Sequence, residues 1–184
     1  MAEILIFNSP QILLNGLSSA IANSVIHDTA VVKLCDPLNE IIAGLADCSI
    51  NDAVRSKSLI QVHGSSIAYR DAILSSNEAL QKVFGTNWIT DIVANKVNRI
   101  EADLIIIPDV TRPSEITNLV NRLHKQHNML LMQIVVGKST IQTTHDQFVT
   151  DNRIHTTLVY GEDFTKLQKM IESLVDDWIG ANYA

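Results

Sequence analysis

Leu104-Ile105-Ile106-Ile107-Pro108-Asp109 is the stretch on which the fold turns. Its four consecutive apolar residues have the length of a strand and show no polar alternation. A strand written this way is buried on both faces, as in a parallel sheet. An acidic residue then follows, at what would be the carboxyl edge of that sheet. Working outward, four more short β-type runs punctuate the chain: Ile4–Phe7, Ala30–Leu34, Met129–Val136 and Thr156–Tyr160.

Helical patterning fills the intervals. Leu17, Ile21 and Val25 recur four apart within Gly16 to Ile26 and make one apolar stripe. Asp36-Pro37 is a helix start, since Asp can cap and Pro suits the first helical position. Leu38, Ile41, Ile42 and Leu45 follow it. Asn51 to Leu80 reads as one or two helices of mixed polarity. Thr86 can cap another, whose stripe runs through Trp88, Ile92, Val93, Val97 and Ile100. Pro113 to His127 turns Ile116, Leu119, Val120 and Leu123 inward, and a last helix runs from Asp163 to Ile179.

Strand–helix alternation of this kind predicts an α/β fold, a three-layer sandwich around a central parallel sheet of about five strands. The whole chain, 1–184, reads as one domain, and the polar stretch 139–151 as a mobile lid or flap. Ligands of such sheets bind beyond the carboxyl ends of the strands. That rule singles out Asn8–Gly16, Cys35-Asp36-Pro37, Pro108–Glu115 and Gly137–Arg153.

Composition narrows the partners. A formal net charge of -6 argues against a broad duplex-DNA footprint, which needs clustered Lys and Arg. Cys35 and Cys48 are too few for a disulfide framework and lack metal-type spacing, so both read as buried free thiols. Met1-Ala2-Glu3-Ile4 has no basic region of a signal peptide. No apolar run approaches the roughly 20 residues that span a bilayer. These features point to a soluble, cytoplasmic protein with no membrane partner.

Strand, loop, then helix at the amino terminus is where a phosphate-binding loop of the form G-x-x-x-x-G-K-[ST] would sit. In that register the chain reads Gln11-Ile12-Leu13-Leu14-Asn15-Gly16-Leu17-Ser18. Gln11 replaces the first Gly and Leu17 replaces the Lys, while Gly16 and Ser18 match. A missing Lys removes a charged hydrogen bond to phosphate worth about 1.5–3 kcal/mol. The plain alternative is an ordinary strand–helix connection whose apolar residues fill the core.

From Ala30 onward the chain resembles the phage-type deoxynucleoside monophosphate kinases. Val31-Val32-Lys33-Leu34-Cys35-Asp36-Pro37-Leu38-Asn39-Glu40 looks like that family's F-A-D-P-L-K-E turn. Leu80-Gln81-Lys82-Val83-Phe84-Gly85-Thr86 is similar to its L-Q-x-L-G-T helix end. Ile105-Ile106-Ile107-Pro108-Asp109-Val110-Thr111-Arg112-Pro113-Ser114-Glu115 looks like I-I-P-D-V-R-F-x-N-E. Asp151–Tyr160 and the final helix resemble the family's ending. The resemblance implies a P-loop kinase-like fold with the P-loop strand central. It also implies a homodimer, and a location in the host cytoplasm or the virion. Mg2+ and ATP would be the cofactors of an active member.

On that resemblance Asn15, Gly16, Ser18, Asp36, Arg70 and Lys138 fall at nucleotide-binding positions. Asp109 and Arg112 fall at catalytic ones, and Ser18 and Asp109 at the magnesium site. Each has a plainer role. Asp36 is a helix cap, Asp109 a turn-forming residue, Arg70 a solvated surface cation, and Glu115 a carboxylate complementing a helix dipole. In the Asp109 turn the family's Arg follows D-V directly, whereas here Thr111 intervenes. His124 and His127 share a helix face without a third metal ligand. Ser65 and Ser66 lack the context of a hydrolase nucleophile. Trp88 and Trp178 read as packing residues.

Two functional expectations follow from the resemblance, and an α/β domain unrelated to that family is the third reading. The first is a degenerate kinase-like protein without efficient phosphotransfer, acting in binding, scaffolding or structure as a subunit of a protein complex. The second is an active kinase that moves phosphate from ATP to a deoxynucleoside monophosphate, with Lys33, Lys138 or Arg112 supplying the missing charge.

Overall fold

The run Leu104–Ile107 forms a strand whose four residues are all buried. In the computed structural model it lies beside Glu3–Asn8, the first strand, with Ile4 paired to Ile105 and Ile6 to Ile107. The structure describes residues 2–8, 11–24, 28–49, 59–62, 65–136, 156–160 and 163–182. Seven strands and six helices occur among them. The strands are β1 Glu3–Asn8, β2 Thr29–Val31, β3 Leu59–Val62, β4 Ser65–Ala68, β5 Leu104–Ile107, β6 Asn128–Val136 and β7 Thr156–Tyr160. The helices are α1 Gln11–Ser24, α2 Asp36–Leu45, α3 Tyr69–Phe84, α4 Trp88–Val97, α5 Pro113–Leu123 and α6 Phe164–Asn182.

By contacts the chain divides into two compact units, Met1–Lys33 with Ala94–Ala184, and Leu34–Val93. The larger unit holds a sheet in the order β2-β5-β1-β6-β7. Every neighbouring pair in it is parallel, so the fold is α/β. Alternation along the strands divides their side chains between two faces. Leu5, Leu104, Ile106, Leu130, Met132 and Ile134 meet Leu17 and Ile21 of α1 and Leu167, Ile171, Val175 and Ile179 of α6 in one buried cluster. Ile4, Ile6, Ile105 and Ile107 point the other way and are buried as well. Burying each such Leu or Ile contributes about 1.5–3 kcal/mol, so the sheet is held from both faces. The β1-to-β2 and β5-to-β6 connections run in opposite directions along the sheet, the arrangement that right-handed crossovers use to cover both faces.

The helix ends follow local chemistry. Asp163 closes the start of α6, its carboxylate accepting from the Lys166 amide at 2.9 Å. At α2 the cap differs from the sequence expectation. Cys35 occupies the N-cap position and makes no side-chain capping bond, while Asp36 stands in the first turn beside Pro37. There its charge faces the positive end of the helix dipole.

The smaller unit contains α2, the antiparallel hairpin β3–β4 and α3. Its own cluster joins Ile42 of α2 to Ala72 of α3, with Ala46, Ile67, Tyr69 and Ile73 packed around them. The hairpin corrects the helical reading of Asn51 to Leu80 over Leu59–Val62 and Ser65–Ala68, while 69–80 is helical as expected and 51–58 lies outside the described residues. Ile60 pairs with Ile67 and Val62 with Ser65, across the dipeptide His63-Gly64. A two-residue connection containing Gly between β-branched runs is a hairpin signal that mixed polarity had obscured. The cysteines need correction too. Cys35 and Cys48 are free, but both are half-buried rather than fully enclosed.

Candidate functional site

Parallel register gathers the carboxyl ends of β1 and β5 on one edge of the larger unit's sheet. Gly16, Ser18, Asp109 and Arg112 belong to this unit, and Asp36 and Arg70 to the smaller one. Lys138 and the 139–151 segment lie outside the described residues, as does the side chain of Asn15.

The segment in P-loop register is helical from its first residue, since α1 begins at Gln11. Helical amides from the fifth residue onward donate to carbonyls four residues back. The amides of Asn15, Gly16, Leu17 and Ser18 are therefore committed inside the helix, whereas a phosphate cradle needs them turned outward. Leu17 is completely buried, in the cluster between α1, the sheet and α6. Ser18 is 2% exposed and already engaged within the fold. Gly16 has a packing reason for its lack of a side chain. A Cβ there would stand 3.2 Å from the ring of Phe164, which packs against the same cluster.

At the end of β5 the chain closes its own helix. The Glu115 carboxylate accepts from the amides of Thr111 at 3.0 Å and Arg112 at 2.9 Å. It also lies 4.0 Å from the Arg112 guanidinium. The Glu115 and Ile116 amides both donate to the Arg112 carbonyl, at 3.0 and 3.2 Å. Pro113 has no amide proton to offer. The donors that would hold an anion at the start of α5 are thus largely spent on Glu115 and Arg112. The Arg112 side chain is 60% exposed, and its nearest counter-charge is Glu115. Asp109 is half-buried and engaged in an interaction within the fold.

In the smaller unit, the residues that precede Asp36 and Arg70 are tied together. The Tyr69 hydroxyl donates to Asn39 Oδ1, and Asn39 Nδ2 donates to Cys35 Sγ at 3.5 Å. This bridge joins the first turns of α2 and α3. Burial raises the Tyr69 pKa above its usual 10.0, and the neighbouring Cys35 adds to the rise. The phenol therefore stays protonated at neutral pH and acts as a donor. Sequence reasoning named Asp36 and Arg70 but missed Tyr69, Asn39 and Cys35 as a polar set. The spacing of Asn39 four residues after Cys35 on one helix was the available signal. Arg70 itself is exposed.

Trp88 is buried and donates from its indole to Asn77 Oδ1 at 3.2 Å. His124 Nδ1 contacts the Val120 carbonyl at 2.8 Å, and His127 Nε2 contacts Asn98 Oδ1 at 3.0 Å. The two histidines thus have separate partners. Among the described residues, no group of three His, Cys, Asp or Glu is placed to hold a metal ion. Among the same residues, no helix is long and apolar enough to cross a membrane. Comparison with known proteins finds no family model that matches the chain and no curated protein significantly similar to it.

Proposed function

We propose that this chain is a P-loop kinase-like protein that has lost phosphotransfer and acts by binding other molecules, as a scaffold or structural subunit. The observation that carries the reading is the state of α1. The segment in phosphate-loop register is helix from Gln11, and the residue in the lysine position, Leu17, is fully buried in the core. Phosphoryl transfer depends on positioning and on neutralising charge at the outer phosphates. A buried Leu supplies neither, and no amide between Asn15 and Ser18 is left to cradle an anion. The kinase-like part of the reading draws support from the sheet, where β1, the strand before this segment, is flanked by β5 and β6. A three-layer arrangement fits the two buried faces of that sheet.

Calorimetric titration with Mg·ATP at near-physiological salt tests the reading. Absence of binding at millimolar ATP is the expected result. Micromolar affinity, a free energy of about -8 kcal/mol, would overturn it. Assays with each deoxynucleoside monophosphate would then follow. The proposal extends to self-association as a dimer, which light scattering on the purified protein measures directly.

A further inference from the structure

We draw no further inference here: the strongest candidate, the exposed apolar side chains Ile41, Leu45, Leu74, Val83 and Phe84 on α2 and α3 of the smaller unit, is an unpartnered surface, and nothing in the structure shows what covers it.

Discussion

The two units solve the problem of burial differently. In the larger one, a parallel sheet turns two rows of apolar residues to opposite faces, and both rows are covered. In the smaller one, the local cluster is built on Ile42 and Ala72 with partly buried neighbours. Large apolar side chains left in water show the same contrast. Ile41, Leu45, Leu74, Val83, Phe84 and Ile92 belong to the smaller unit, against Val31 and Met170 in the larger. The smaller unit's hairpin is two-stranded, and such a hairpin by itself is marginal in water, so α2, α3 and the first residues of α4 must cover it. The comparison teaches that burial is unevenly shared between the two units. The segment in phosphate-loop register is helical, and its Leu17 and Ser18 are buried in the larger unit. The Asp36 and Arg70 positions sit in the smaller unit, beside a polar bridge that is intact.

The sharpest way to break this comparison is to place a lysine at position 17. Leu17→Lys places an unpaired charge in a completely buried site. It should destabilise the protein by more than about 3 kcal/mol, read by urea denaturation, without creating ATP affinity. A stable variant that binds ATP would show that α1 is not locked into the core. A second pair of substitutions tests the inequality of the units. Ile106→Ala should cost about 2–5 kcal/mol of global stability. Ile42→Ala should act chiefly on its own unit, speeding hydrogen exchange along α3 while α6 keeps its protection. Equal loss of protection in both units would make them one cooperative body.

Smaller effects sharpen the picture of the sites. Glu115→Ala removes the acceptor for two amides at the start of α5, and should cost about 0.5–2 kcal/mol in thermal or chemical denaturation. A neutral outcome would mean that another group replaces it. The glycines divide by packing. Nothing crowds a Cβ at Gly44 or Gly180, so Ala at either should stabilise its helix by about 0.5–1 kcal/mol. Gly16→Ala meets Phe164 and should lose most or all of that gain.

The smallest expected effect is a pH dependence at His127. Burial lowers its pKa below the ordinary 6.5, and outweighs the Ala2 backbone and Glu3, which raise it. Its Nδ1 is buried and, among the described residues, has no partner in good hydrogen-bond geometry, the Ala2 backbone lying near it. The unfolded chain therefore takes up this proton first as pH falls. The stability contributed by the neutral ring is present above about pH 6.5 and is lost as pH drops through the lower folded value. His127→Gln should flatten that part of the stability profile. An unchanged profile would assign the dependence to other groups.

Legibility from sequence tracked how local each signal was. Leu104–Ile107 was readable because continuous apolar character is a property of adjacent residues, and β7 at Thr156–Tyr160 because β-branched and aromatic residues cluster in it. The start of α6 at Asp163 and the dipole role of Glu115 were legible through short-range capping chemistry. The start of α1 was misjudged. Alignment to a phosphate loop put the helix at Gly16, although Ser9-Pro10 before Gln11 is itself a helix-start pattern. The hairpin at Leu59–Ala68 was hidden because strand pairing is only half written in each strand.

By itself, then, the sequence determined the α/β alternation, the presence of Leu rather than Lys at position 17, and the acidic, cysteine-poor character of the chain. Those are matters of composition and neighbouring residues. Tertiary structure alone decided that β1 lies between β5 and β6, that Phe164 fills the space beside Gly16, and that Tyr69 reaches Asn39 thirty residues away. Each of these joins parts of the chain far apart in sequence. Such contacts form only when burial of the whole core repays the entropy of closing the loops between them.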